Sequence, residues 1–426
     1  MIQRVLRRWW SPGSVVKSAF YNYALHISRY IMPLVVMPYL SRSLGAEKYG
    51  LVFLTLSFGA ILTLFIEFGF SLSATRELSK HRDSSAEVDR ILSQVFGAKC
   101  LLALGATILG LCALLVVPRL RENIDFVWLG LPYAFAYGMS PMWYYQAVEK
   151  MRTQSAIEIF CQMSAMAFVF IIVHEPGEAK MVPILQISGA ALSSILGYRI
   201  LYRSARFEVP EFSACIEAIR LGLSMFAFRG FLTLYTTANL FIVGVLLPSS
   251  QVTYYGTAEK LFTAVTALFG PFSQTVFPRM NYLLKKDPIR ALALAKIGFI
   301  LVLSASVVAT VLGWLLAPEL VRLLFGKEFM PSSHILRVML LALPLIGVSQ
   351  ILGIQCLLPL KMDKIFNSII FSAAIVNVVM GLVTTPYFGP QGMAWSRVAT
   401  EAIVTVAMAS YLIARRNLVM DKAFGI

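Results

Sequence analysis

The sequence predicts an all-α membrane protein of about twelve transmembrane helices, arranged as two six-helix lobes related by a parallel pseudo-two-fold repeat. Three observations predict it. Apolar residues make up 58% of the 426 and charged residues only 14%, with a mean hydropathy of +0.74; a soluble domain of this size needs more charge to cover its surface. The apolar residues gather in runs of about twenty or more, enough to cross a hydrocarbon core of about 30 Å. Two sequence markers, described below, recur in both halves of the chain at a similar offset.

Residues 1–17 read as an amphipathic cytoplasmic segment and not as a cleavable signal. Ile2, Val5, Leu6, Trp9 and Trp10 recur at helical spacing, opposite Gln3, Arg4, Arg7 and Arg8. Such a helix suits the surface of an anionic leaflet. Ser11-Pro12-Gly13 breaks it before the first span. The first lobe (18–202) then holds spans at 18–41, 50–73, 91–117, 124–147, 154–174 and 181–202. A cytoplasmic linker (203–217) leads to the second lobe (218–414), with spans at 218–246, 251–277, 295–317, 334–358, 365–386 and 391–414, and a cytoplasmic tail follows at 415–426. The loops between spans are too short to hold a soluble domain.

Basic residues set the orientation. With a cytoplasmic N-terminus, 22 Lys and Arg fall in inner segments, 7 in outer loops and 8 within or beside spans. Arg76, Lys80, Arg82, Arg90, Lys150, Arg152, Lys285 and Lys286 lie inside, whereas the outer loops at 247–250 and 387–390 have none. This asymmetry predicts an even number of spans with both termini cytoplasmic. The net charge of +15 is thereby accounted for at the membrane, and no nucleic-acid partner is expected. Five cysteines, four of them within apolar runs, match no disulfide or metal spacing and read as small buried hydrophobes.

The repeat rests on two markers. Tyr49-Gly50 is echoed by Tyr255-Gly256, and Gly69-Phe70-Ser71 with Arg76 is echoed by Pro271-Phe272-Ser273 with Arg279. Six spans per copy imply an axis along the membrane normal.

No P-loop, HExxH, GxSxG or DxD pair is present, so no enzyme signature is found and no cofactor is expected. The informative residues are charges inside spans, which are expensive in lipid. Arg29 lies about eleven residues into the first span and Arg229 about eleven into the seventh, so both sit about 16 Å from the inner surface. Asn22 and His26 share the face of Arg29; Thr233, Thr236 and Thr237 continue that of Arg229. Two midplane arginines, one per lobe, suit a central cavity for an anion, because guanidinium forks pair with phosphate bidentately. The alternative is that each pairs with a carboxylate for packing. Lys99 and Lys260 are further cationic candidates, each of which could instead form an ion pair. Glu67 reads either as the partner of Lys99 or as a proton- or sodium-coupling carboxylate. Arg397 and Glu401, one turn apart, can bridge each other. Tyr133, Tyr137, Trp143, Tyr144 and Tyr145 cluster on the fourth span, where an interfacial aromatic belt and sugar stacking are both open readings.

At this point the residues resemble a known family. PYLSRSLGAEKYG (38–50), FGFSLSATREL (68–78), WYYQAVEKM (143–151), YYGTAEKLF (254–262) with PFSQTVFPRM (271–280), and LLFGKEF (323–329) are similar, in order, to O-antigen and exopolysaccharide flippases of the multidrug/oligosaccharidyl-lipid/polysaccharide exporter superfamily. The resemblance implies two lobes opening alternately in a bacterial cytoplasmic (inner) membrane. The implied substrate is an oligosaccharide on undecaprenyl diphosphate, moved to the outer leaflet. The lipid tail stays in membrane lipid, and a polymerase and glycosyltransferases of the same pathway are the implied partners. Cationic cavity residues would serve transfer, a role for which Arg29 and Arg229 fit by depth and helix. Two rivals remain: a cation-coupled multidrug exporter of the same superfamily, and a membrane oligosaccharide polymerase. The exporter would favour an acidic cavity. The polymerase would need a large outer loop or a catalytic acid.

Overall fold

In lipid, every backbone N–H and C=O must find its partner within its own segment or a closed sheet, so long apolar runs fold as helices. The computed structural model describes residues 12–415, without the side chains of 12–33, 224, 227–229, 231–236, 270–275, 285 and 288. Residues 1–11 of the expected amphipathic segment and the tail beyond Arg415 lie outside the described residues. Within those described, all regular structure is helical. The first helix, Pro12–Glu67, is divided at Gly45 into α1 (12–44) and α2 (46–67), and Phe70–His81 extends α2. Then come α3 (Ser85–Val116), an interrupted α4 (Ile124–Val127, Gly130–Gly138 and Met142–Ala147), α5 (Met151–Ile172) and α6 (Met181–Leu201). The second half has α7 (Phe212–Leu246), α8 (Ser249–Thr266 and Gly270–Lys286), α9 (Pro288–Phe325) and α10 (Met330–Leu340, Ala342–Gln350 and a π-helical stretch, Ile351–Leu357). The last helix, Asp363–Ala414, turns at Gly389 into α11 (363–388) and α12 (390–414). Twelve crossings among the described residues match the expected layout.

The turns are local chemistry. Gly45 (φ 68°) and Gly389 (φ 59°) take the positive-φ conformation that costs glycine little, and each folds one long helix back into two. A second kind of break lies mid-helix. Phe68 and Gly69 (φ 44° and 73°) interrupt α2, and a 3₁₀ turn, Ala267–Phe269, interrupts α8. These breaks coincide with the second repeat marker, so the two halves share a discontinuity as well as a sequence echo.

Several loops expected from sequence are helical extensions. α9 runs unbroken from Pro288 to Phe325, beyond the expected 295–317. Its ends are held by Arg290–Asp287 at 3.0 Å and Arg322–Glu319 at 2.8 Å, spacings that suit a solvated helix surface. Hydropathy marks where the hydrocarbon ends, not where the helix does.

Packing is inverted relative to a soluble protein. Leu301, Val308 and Leu315 on α9 and Leu104, Ile108 and Leu115 on α3 are exposed, whereas Asn239, Asn377, Thr385, Ser396 and Thr400 are buried. The halves meet closely at the Gly45 end. A Cβ on Gly50 would collide with the Ser249 carbonyl oxygen, and one on Gly256 would stand 2.9 Å from the Phe53 ring. The first repeat marker is therefore where α2 and α8 approach each other, each through its own glycine; small residues allow such approach in membranes. The Thr253 hydroxyl donates to the Ala46 carbonyl, Arg119 donates to the Ser249 hydroxyl at 2.8 Å, and Arg42 caps α9 at the Leu323 carbonyl at 3.0 Å. Toward the Arg82 end the partners diverge. Phe70–His81 packs on α3, α4 and the start of α7, and Gly270–Lys286 packs on α9 and the end of α10.

Candidate functional site

Divergence of α2 and α8 below their crossing leaves a central cavity of about 510 Å³ between the halves. Its wall is formed by α1 (Val36, Leu40), α2 (Phe53, Ser57), α4 (Tyr133), α5 (Met166), α6 (Gln186), α7 (Thr237), α8 and α12. All three charges on the described wall come from the second half. Lys260 is exposed to the cavity. Glu259, its neighbour, pairs with Arg397 of α12 at 3.5 Å, with both side chains about a tenth exposed (10% and 11%). Arg397 also lies 4.6 Å from the centre of the Phe262 ring, a cation–π contact that suits a desolvated guanidinium. Glu259 balances Arg397, so Lys260 leaves this wall with a net positive charge.

A second, polar compartment of about 240 Å³ lies within the first half. It uses the same helices, α2, α4, α5 and α6, one to two turns nearer the Arg82 end. Along α2 the lining passes from Ala60 to Glu67, along α4 from Tyr133 to Tyr137, and along α5 from Met166 to Gln162. Tyr133 and Tyr137, with ring centres 4.3 Å apart and stacked, stand between the two spaces. Lys99 enters from α3, is 1% exposed, and donates to the Gly138 and Ser140 carbonyls at 2.9 Å each. Those carbonyls are freed by the break in α4, so Lys99 satisfies what the interrupted helix cannot. Glu67 and Glu158 face the same compartment, and Glu158 accepts from the Ser140 hydroxyl at 3.0 Å.

The structure therefore separates the sequence-predicted candidates. Lys260 lies in the central cavity. Lys99 and Glu67 share the other compartment, and Lys99 serves the α4 break there; its place is not beside Lys260. Asn22, His26 and Arg29 belong to α1 and Arg229 to α7, but their side chains lie outside those described. For Arg397, the ion pair found reaches across to Glu259 on α8, beyond the expected one-turn bridge to Glu401. Trp143, Tyr144 and Tyr145 are buried and form no interfacial belt. Sequence reasoning missed Glu259, Arg397 and Glu158 as cavity groups; Glu158 was legible as a carboxylate inside an apolar run.

A family model described as "Polysaccharide biosynthesis protein" matches residues 15–284. The chain belongs to the polysaccharide biosynthesis protein family. This polysaccharide biosynthesis protein is 24% identical over 94% of its length to the "Putative O-antigen transporter" of Escherichia coli (strain K12), covering 97% of that protein. It is 26% identical over 92% of its length to the like-named protein of Shigella dysenteriae, covering 98% of it. Its fold is that of the lipid II flippase MurJ in an inward closed conformation (TM-score 0.68, 15% identity, covering 94% of this chain and 90% of that one). It is shared also by an inward-facing multidrug resistance MATE family transporter of the MOP superfamily (TM-score 0.67, 11% identity, covering 93% and 95%). The relatives are named as transporters and not as enzymes. The protein is a multi-pass membrane protein of the flippase and exporter fold.

Proposed function

We propose that this protein is a flippase for undecaprenyl-diphosphate-linked oligosaccharide repeat units, carrying them from the cytoplasmic to the periplasmic leaflet by alternating access. The observation that carries the reading is the cavity between the halves with its net positive wall, in a chain aligned end to end with O-antigen transporters. A diphosphate needs a cationic site away from bulk water, and Lys260 supplies one charge there. Arg29 lies two helical turns before Val36, and Arg229 just over two turns before Thr237, so both belong to helices that wall the cavity. Their guanidinium forks suit phosphate oxygens.

In this reading the Gly45 end is periplasmic and closed, and the Arg82 end is cytoplasmic. The head group enters while the polyprenyl tail stays in lipid, and rocking of the halves then opens the α2–α8 crossing. A cation-coupled drug exporter is the rival favoured by Glu259 on the cavity wall. Purified protein in liposomes decides between them. Movement of a fluorescent lipid-linked oligosaccharide between leaflets, without efflux of a cationic dye, is the expected result. Dye efflux without lipid movement would overturn the proposal.

A further inference from the structure

The compartment inside the first half is left over by the cationic diphosphate site. It is a poor place for a second phosphate, since Glu67 and Glu158 face it and two hydrogen-bonding directions of Lys99 are already committed to backbone carbonyls. It is also too small for a drug-sized ligand. Yet it is too polar to be empty packing. The indole N–H of Trp143, a residue 4% exposed, lines it without a hydrogen-bond partner, as does the Ser71 hydroxyl. Buried donors of this kind call for an acceptor.

We propose that this compartment is a subsite for one pyranose ring of the lipid-linked glycan, an inference that rests on the flippase reading above. A sugar ring presents hydroxyls that both donate and accept, together with an apolar C–H face. The wall answers each feature. Glu67 and Glu158 accept from hydroxyls, Gln162 can donate and accept, and Trp143 donates to a ring or hydroxyl oxygen. Tyr137 offers an aromatic surface to the C–H face. Position supports the same ligand. One to two helical turns, about 5–11 Å, separate the compartment from the central cavity along α2, α4 and α5, a spacing suited to a sugar joined directly to a diphosphate. Tyr133 and Tyr137 would then mark the junction between the charged and the sugar-binding parts of one elongated site.

The test uses the full chain in lipid nanodiscs. Binding of undecaprenyl diphosphate is compared with that of the same lipid carrying a single glucose, galactose, N-acetylglucosamine or N-acetylgalactosamine. At least one sugar-bearing lipid should bind about tenfold tighter than the bare lipid, as two or three net hydrogen bonds would give. That ratio should fall toward one in Glu158→Gln and in Gln162→Ala. Equal binding of the bare lipid and all four sugar-bearing lipids overturns the subsite and leaves the flippase reading standing. Survival of the full ratio in both variants likewise overturns it. If no diphosphate lipid binds at all, the flippase reading fails and the subsite with it. A sodium-dependent rise in melting temperature that Glu67→Gln abolishes, without sugar preference, would make the compartment a cation site and overturn the proposal.

Discussion

Lys99 and Lys260 are both lysines in apolar helices, and their surroundings assign them different work. Lys99 holds two carbonyls released by the α4 break. Lys99→Met should leave both without a donor, at about 1–3 kcal/mol each, and lower the melting temperature of purified protein by several degrees. Unchanged melting would show that the break is satisfied some other way. Lys260 has no such structural task among the contacts described, so Lys260→Ala should leave membrane levels intact and reduce polysaccharide export. Arg29→Ala and Arg229→Ala should do the same, with Lys rescuing only in part because it lacks the fork. Normal export from all three alanine variants would refute the cationic cavity. How far the residues were legible follows the same division. A charge within an apolar run is conspicuous, so Lys99, Lys260 and Glu67 stood out. What each faces depends on contacts between distant helices. Glu259 and Arg397 lie 138 positions apart, and no local pattern joins them.

Between single residues and the whole bundle lie the breaks and crossings of helices. Hydropathy located the crossings because lipid demands long apolar segments, whereas the turns at Gly45 and Gly389 are given by the backbone. The break inside α2 was hidden, since the apolar pattern runs straight through Phe68–Gly69, whereas Pro141 marks the break inside α4 in an otherwise apolar run. The repeat markers were legible as an echo but not as a contact; the fold alone sets Tyr49-Gly50 of α2 against α8. This crossing can be perturbed at one atom. Gly50→Val would push a side chain into the Ser249 backbone, and overpacking of this kind costs about 1–3 kcal/mol. Borne only by the closed Gly45 end, that cost would shift the balance of the two access states by about 5- to 150-fold. The expected outcome is lost export with faster labelling of an Ala46→Cys reporter by an impermeant maleimide added from outside. Labelling at the unmodified rate would mean that the α2–α8 crossing is not the gate.

At the scale of the whole molecule, the proposed reading sets the Arg82 end, where basic residues concentrate, in the cytoplasm. Reporter fusions after Lys80, Lys150 and Lys286 should read as cytoplasmic, and those at Ala46, Gly177 and Gly389 as periplasmic; an outside signal at Lys286 would break the positive-inside assignment. Direction in turn determines what can drive transport. A lipid-linked diphosphate carries about two negative charges, and moving each outward from a negative interior releases about 2.3 kcal/mol per 100 mV, so about 4.6 kcal/mol is available for two. That energy is realised only if the protein's own cations do not cross the field with the substrate. Lys260 on α8 and Arg397 on α12 are fixed to helices that span the bilayer. Rocking about the α2–α8 crossing would change which side they face more than their depth. Membrane potential alone should therefore favour export. In liposomes with a potassium–valinomycin potential, negative on the side corresponding to the cytoplasm, and no proton or sodium gradient, movement of the charged lipid outward should accelerate. Reversing the polarity should slow it. Indifference to both polarities, with full dependence on an ion gradient, would mean that the cations travel with the substrate or that an ion supplies the work.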